Sequence, residues 1–488
     1  MELSRRCFGM RFSHFSLRNT IAVLSGIILC GIFVCKTEVV GAEEKASKAE
    51  FDLGFSFASS PEILTLDECL SIAFLENRGL NQTRSKVEAA KAKKSQLLAS
   101  QLPGVSTSMS GTKNTLPIMP SAKERQETFR ASLSATFQPF GRFSSLKRAS
   151  QATITAADAD RARTEIDTGF RVTKAFYDLL LAQLLERVAS ESVDQLREHR
   201  DTTSRLVERG TAPGFNLLRA DVQLASAKPI LIRATHAIST SLVSLLDLLG
   251  VDPRATPKLV GSFPEHIPNH LPLKEDEAIR LAFEQRPDLK AAKASLKAAK
   301  SSLRASQQAL QPSMQISHSI DSSRGNMTPV DSYRNSRTTT LGLVFPVFDS
   351  GLSSAQSKEA AEIVHQAQLG YESVVSAVYV EIRQAISAVI ESFEVLESQE
   401  KNVEQAEKAR SIAEKAYQTG AQTSLDVLDA QLALTQAKTA RFQALRDQTV
   451  AIAQLEKVLG YLPGHYLESE GGSVNEVYSK QRTVAVKK

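Results

Sequence analysis

The second half of the chain repeats the first. Gly210, Leu218, Ala220, Leu224, Ala227 and Gly250 recur at Gly420, Leu428, Ala430, Leu434, Ala437 and Gly460, all at one offset of 210 residues with no gap. Ala73-Phe74 recurs at Ala282-Phe283 and Pro103 at Pro312, one residue closer. A duplicated chain folds as one unit built twice, so its function belongs to a pseudo-symmetric assembly rather than to a single cleft.

Length alone, 488 residues, suggests two or three ordinary domains. The absence of Trp, the sparse aromatics and the predominance of Ala, Ser, Leu, Gln, Glu and Lys argue instead for long helices. The formal charge of +5 carries little meaning. Residues 1–42 hold Arg5, Arg6, Arg11, Arg18 and Lys36 against two acidic residues, which accounts for +3 of it. The remainder leaves no basic stripe for nucleic acid.

Those first 42 residues have the form of a secretory signal. Four arginines precede an apolar run from Ile21 to Val34, and Val40-Gly41-Ala42 supplies small residues at a cleavage site before Glu43. An uncleaved anchor is the alternative. Leu29 and Val34 before Cys30 and Cys35 argue against a lipoprotein signal, which needs a small residue there. The mature chain then keeps only Cys69, which allows no internal disulfide and reads as a buried thiol. After the signal no stretch approaches the roughly 20 apolar residues of a membrane helix. Any bilayer contact is therefore expected from strands.

Each repeat opens with a short helical segment, at Leu66-Asp67-Glu68-Cys69-Leu70 and at Asp276-Glu277-Ala278-Ile279. A longer helix follows. In the second copy Ala292, Leu296, Ala299, Leu303 and Leu310 have the spacing of a narrow coiled-coil seam, and Pro103 and Pro312 stop these helices. The period then changes to two. Phe129, Ala131, Leu133, Ala135 and Phe137 alternate with Arg130, Ser132, Ser134, Thr136 and Gln138; Leu341, Leu343 and Phe345 alternate more weakly with Thr340, Gly342 and Val344. Partner segments lie upstream, at 105–110 and 314–320. A soluble hairpin with one face on a core shows the same alternation, but two equivalent hairpins in an exported chain favour outer-membrane barrel strands. Four strands cannot close a barrel, and an open edge in lipid leaves backbone groups unsatisfied. Oligomerisation follows.

Helical patterns then run from about Phe143 to Arg209 and from Leu352 to Thr419, rods of roughly 90 Å or more. Each ends at a glycine, and a second helix returns to Gly250 or Gly460. The expected organisation is a signal at 1–42, a first repeat at 43–255 with a hairpin at about 104–138 and a tip at about 210–218, and a linker at 256–272. A second repeat at 273–460 follows, with a hairpin at about 313–346 and a tip at about 420–428, and then a flexible polar tail at 461–488. The fold class is mainly α with a small β part: duplicated long-helix hairpins, which the family resemblance given next implies form a periplasmic α-barrel, and four strands per chain contributing to an oligomeric transmembrane β-barrel.

Two motifs carry a family resemblance. One is the duplicated proline-bearing strand end, Gln138-Pro139-Phe140-Gly141 and Phe345-Pro346-Val347-Phe348-Asp349-Ser350-Gly351. The other is the run from Tyr417 through Gly420, Asp426 and Asp429 to Ala430. With the duplication, they make the mature chain resemble the outer-membrane factor family, the TolC-like export channels of Gram-negative bacteria. The resemblance implies a homotrimer in outer-membrane lipid with a periplasmic helical tunnel. Its tips, Gly210, Thr211, Ala212, Pro213, Gly420, Ala421, Thr423 and Ser424, would dock a periplasmic adaptor (membrane fusion) protein, and through it an inner-membrane transporter. It implies neither cofactor nor metal. Asp426 and Asp429 match the carboxylates lining the narrowest point in the family. Two aspartates three apart share a helix face, and a threefold ring of them would attract cations and raise its members' pKa. Solvated aspartates near a helix N-terminus are the plainer reading.

No catalytic arrangement stands out. His266 and His270 are four apart, but Pro264 and Pro268 deny them a helical face. The remaining alternative, an exported coiled-coil structural or adhesive protein, has no need of two alternating hairpins ending in proline.

The resemblance departs at the gate, which in that family is held partly by an arginine and a tyrosine reaching an aspartate on the neighbouring tip. Here the tyrosine is Tyr417, but the other positions hold Gln422 and Asn216. Neutral hydrogen bonds are weaker than charged ones, so the gate is expected to rest on packing around Pro213 and Phe215 as much as on polar contacts. Installing the charged lock, Gln422→Arg with Asn216→Asp, should lower the resting conductance of the protein in a planar bilayer; an unchanged conductance would refute the weak lock.

Overall fold

The computed structural model describes residues 62–115, 123–137, 141–264, 274–325, 334–419 and 421–464. The expected signal segment, Gln138-Pro139-Phe140, His266, His270, Gly420 and most of the expected tail lie outside them. The elements follow the duplication. In the first repeat β1 is Ile63–Leu64, α1 Leu66–Glu76, α2 Arg78–Ala99, β2 Gly104–Thr115, β3 Lys123–Phe137, α3 Arg142–Glu208 and α4 Gly214–Leu249. After β4, Lys258–Leu259, the second repeat supplies α5 Glu275–Gln285, α6 Pro287–Gln307, β5 Ser313–Gly325, β6 Arg334–Val344, α7 Leu352–Gln418 and α8 Ser424–Leu459. The two long helices have 67 residues each and the two return helices 36 each. β4, within the linker, pairs in parallel with β1.

Helices this long are stable only when packed laterally. α3 is flanked by α2, α4, α6 and α8, and α7 by α6 and α8. The cores beneath the hairpins match position for position. Val172, Phe176 and Leu179 of α3 with Leu245 and Leu249 of α4 correspond to Ile382, Ile386 and Val389 of α7 with Leu455 and Leu459 of α8. Ala73 and Ala282, both fully buried, bring the short helices α1 and α5 onto these cores. Cys69 of α1 is buried in the first core, and burial pushes its thiol up to about 12.

A second matched device fixes the ends of the return helices. Asn77, between α1 and α2, donates from Nδ2 to the Leu248 carbonyl at 2.8 Å. Arg286, between α5 and α6, donates from Nη1 to the Val458 carbonyl at 3.0 Å and forms ion pairs with Asp288 and Glu381. Burial alone would raise the Asp288 carboxyl, but the hydrogen bond and charge of Arg286 hold it below the usual range. Both return helices end on glycines with left-handed φ, +76° at Gly250 and +90° at Gly460. A Cβ there would stand 2.8 Å from the Glu76 carbonyl oxygen or 2.9 Å from the Arg286 backbone nitrogen. Only glycine meets both the turn and the contact.

The strands form one antiparallel sheet in the order β2-β3-β5-β6. Strand partners directly opposite one another share a face, so the register separates two surfaces. Ser106, Ser132, Ser319 and Thr338 align across the sheet on one face. Val105, Met109, Phe129, Leu133, Ile316 and Leu341 lie on the other, with Met109 82% and Val105 76% exposed. His318 and Thr339 on that apolar face satisfy each other at 2.9 Å. The first strand of each hairpin runs five residues beyond its expected end, to Thr115 and Gly325, because apolar alternation fades there while backbone pairing continues.

Two sequence expectations are corrected. The buried residues of α6 are Leu289, Ala291, Ala294, Ser301 and Ala305; of the expected seam, Ala292, Leu296, Ala299 and Leu303 are half-buried and Leu310 lies beyond the helix end, 45% exposed. Small side chains let α6 approach both α3 and α7, and the seam leucines are left at the margin. Secondly, α4 and α7 are each long and apolar enough, by length and composition, to cross a membrane. Their apolar side chains divide between the cores above and an outer flank along which no described helix runs. Val243 of α4 is 47% exposed and Ile390 of α7 44%.

Gly460→Ala and Gly351→Ala separate strain from contact. Gly351 also has a left-handed φ, +88°, but nothing stands within 4 Å of its Cβ position. Its replacement should cost about 1 kcal/mol, whereas Gly460→Ala adds the clash with Arg286. The thermal midpoint of the purified protein, followed by circular dichroism, should fall further for Gly460→Ala.

Candidate functional site

The two hairpin tips are closed by the same backbone device. The left-handed Gly210, φ +75°, lets Thr211 donate its N–H to the Leu206 carbonyl at 2.9 Å. In the second tip Ala421 donates to the Ala416 carbonyl at 2.8 Å. Both are the bond, spanning five residues, that closes a helix C-terminus, so the chain reverses direction at both expected places.

The return helices start differently. Pro213 caps α4 without a side-chain acceptor. Thr423 caps α8 in a reciprocal box: Asp426 N–H donates to Thr423 Oγ1 at 3.4 Å, and Thr423 N–H donates to Asp426 Oδ2 at 2.8 Å. The Thr423 hydroxyl and backbone N–H hold the Asp426 carboxyl below the usual range. This opposes the rise expected from a carboxylate ring: within one chain Asp426 is a capping residue, and like-charge coupling would need other copies. Asp426 and Asp429 are both exposed. At the same offset the first tip carries Asn216 and Arg219, so only one tip per chain presents the carboxylates.

The expected gate contacts separate. Tyr417 turns into the chain, with its hydroxyl 3.4 Å from Thr203 Oγ1 and its ring 5.4 Å from that of His199. Both partners lie on α3; Tyr417 is not brought to Gln422 or Asn216. His199 Nε2 in turn stands 2.8 Å from the Ser424 hydroxyl. Ser424, expected on the docking surface, is 3% exposed and faces α3. Burial lowers the His199 pKa against the opposing charge of Glu414, so the neutral imidazole is favoured. His199, Glu414 and Tyr417 border a cavity of about 70 Å³ between α3, α7 and α8. Gly210, Thr211, Pro213, Ala421, Gln422 and Thr423 are exposed, while Ala212 and Asn216 are half-buried. Phe215 at the first tip is 67% exposed.

His199 was not legible as a site residue, because its partners lie 218 and 225 positions away in sequence. Among the described residues no group of three or more His, Cys, Asp or Glu side chains could hold a metal.

Known proteins share this architecture. The family described as outer membrane efflux protein matches residues 69–251 and 278–461, one segment per repeat. The chain is 26% identical over 420 residues to the pyoverdine export outer membrane protein OpmQ of Pseudomonas putida, covering 82% of this chain and 86% of that protein. It is 25% identical over 415 residues to the outer membrane protein OprJ of Pseudomonas aeruginosa, covering 81% and 84%. The outer-membrane channel OprN superposes with a TM-score of 0.71 at 22% identity, over 82% of this chain and 90% of that one. The Campylobacter jejuni CmeC outer membrane channel does so with a TM-score of 0.72 at 18% identity, over 85% and 88%. Because both repeats match in full register and the helical hairpins carry a four-stranded sheet, the chain belongs to the outer membrane efflux protein family, as a channel protein of the outer membrane.

Proposed function

We propose that three copies of this chain close into one water-filled duct, in which cargo delivered at the helical tips passes through the periplasmic tunnel and out through the barrel. The observation that carries this is the pair of open edges. Among the described residues β2 and β6 each lack a partner on one side, and the outer flanks of α4 and α7 are bare on the same two sides. Pseudo-symmetry supports covering those flanks with other copies. Leu218 of α4 is 61% exposed, whereas its counterpart Leu428 of α8 lies against α3 and is 5% exposed. Ile390 of α7 is 44% exposed, whereas its counterpart Leu180 of α3 is 7% exposed.

Copy number follows from barrel size. Two chains would give eight strands, and at about eight strands side chains fill the interior. Three give twelve, which leaves a lumen. The Ser and Thr face of the sheet suits that lumen, and the Val, Leu and Met face suits lipid. The chain supplies no energy to transport. An adaptor docking at the exposed tip residues Gly210, Thr211, Pro213, Ala421 and Thr423 would link the duct to an inner-membrane transporter, where cargo is chosen.

At the mouth, Asp426 and Asp429 bias passage toward cations, with Arg219 at the alternate tips moderating the field. Asparagine at both positions removes the charge while keeping an acceptor for the Thr423 cap. The double variant Asp426→Asn with Asp429→Asn should form channels of wild-type stability whose cation preference, read from reversal potentials in a salt gradient, falls severalfold. An unchanged preference would place the selectivity elsewhere, and absence of any discrete conductance from intact wild-type protein would remove the duct.

A further inference from the structure

The helices of one chain meet the helices of the other repeat along a seam between α3 and α8, and that seam is polar. Asp167 pairs with Lys457 at 2.9 Å, Asp178 with Arg446 at 2.7 Å, and Glu191 with Lys438 at 3.3 Å. Further toward the tips Gln195 bonds Gln431, Thr435 bonds Ser192, and His199 meets Ser424. In a closed ring, the flank of α7 on one copy meets α4 of the next copy by the same pseudo-symmetry that places α3 on α8. Because both long helices and both return helices correspond at 210 residues, each contact observed between α3 and α8 maps onto a pair between α7 of one copy and α4 of the next.

The mapped pairs have lost the complementarity. Asp167 with Lys457 becomes Ala377 opposite Asp247, and Asp178 with Arg446 becomes Ala388 opposite His236. Glu191 with Lys438 becomes Lys401 opposite Lys228, two like charges. Ser192 with Thr435 becomes Asn402 opposite Ala225, and His199 with Ser424 becomes Ala409 opposite Gly214. Only Gln405 opposite Asp221 can hydrogen-bond, and Asp221 already accepts from Arg200 at 3.0 Å. Every mapped residue except the half-buried Asp221 is exposed in the single chain, as an uncovered interface requires.

We infer that the two kinds of seam in the ring are unequal: the seam within each chain is latched by ion pairs, while the seam between copies sets Lys401 of one copy against Lys228 of the next and is where the periplasmic mouth parts. This rests on the closed ring proposed above. The surface formed by α7 and α4 is thus an interface for a second copy, held by apolar contact in its upper part and opposed by charge nearer the tips. Like charges brought together at exposed positions disfavour contact, whereas the three ion pairs with the polar contacts beside them favour the seam within the chain.

The test uses the full mature chain in two arms. In the first, Lys401→Cys with Lys228→Cys is treated with a short bis-maleimide in membranes, beside the control Glu191→Cys with Lys438→Cys. The first pair should link chains into dimer and trimer bands and the control should link only within one chain; absence of bands between chains from the first pair would overturn the map. In the second arm, Lys401→Glu or Lys228→Glu alone turns repulsion into attraction and should lower the open probability of single channels about threefold. Combining them restores like charge and should return the wild-type value. Single reversals without effect, or a double variant that sums two independent losses, would overturn the unequal seam. Lys401 also pairs with Glu397 at 2.7 Å on its own helix, so agreement between the two single variants isolates the seam from that contact. A protein that cross-links between copies yet never conducts would overturn the duct and leave the seam map standing.

Discussion

An unpaired strand edge in hydrocarbon costs several kcal/mol per backbone group, and the rest of the molecule is arranged around that cost. The two hairpins meet through their inner strands, β3 and β5, which leaves β2 and β6 as the edges of the four-stranded sheet. The chain is therefore a sector with two open sides. The helices inherit the same condition, since α3, α6 and α8 are enclosed by neighbours while α4 and α7 each keep a bare flank. Membrane and periplasmic parts thus call for the same remedy, further copies on the same two sides.

Much of this was legible in the sequence, for identifiable reasons. Gly210, Gly250 and Gly460 mark helix ends because left-handed backbone at those points favours glycine over other residues. The strict alternation around Leu133 exposes β3 because one face must be apolar and the other polar. What stayed hidden depends on contacts between distant segments. Nothing local tells β3 to pair with β5, or α6 to bury Ala291 and Ala294 in place of Leu296 and Leu303. At the tips, spacing showed Asp426 and Asp429 on one helix face but could not show that Asp426 is occupied by the Thr423 cap. Tyr417 and Ser424 were found as tip residues, yet their partners on α3 emerge only when the two repeats are folded together.

The duplication is kept where burial demands it and lost where charge decides. Val172 and Ile382, Leu245 and Leu455, and Leu249 and Leu459 occupy matching core positions with similar shape. The polar positions have drifted apart: Arg286 does with a guanidinium what Asn77 does with an amide, and Asp429 has Arg219 as its counterpart. A core tolerates only apolar groups of fitting volume, whereas an exposed position loses little by substitution. The two halves are therefore free to specialise at their surfaces, one tip acidic and the other basic, without disturbing the scaffold beneath.

The equal helix lengths have a consequence for how far the tunnel can reach. Two helices of 67 residues, each about 100 Å long, run side by side with return helices of 36 residues that end on matched glycines. A turn added to α3 alone would slide its charges past their partners on α8 and bring one tip below the other, leaving the mouth uneven. The span across the periplasm is consequently a property that neither half can alter by itself. Any change in reach must be made in both repeats at once, in steps that restore the same face of each helix to its neighbour.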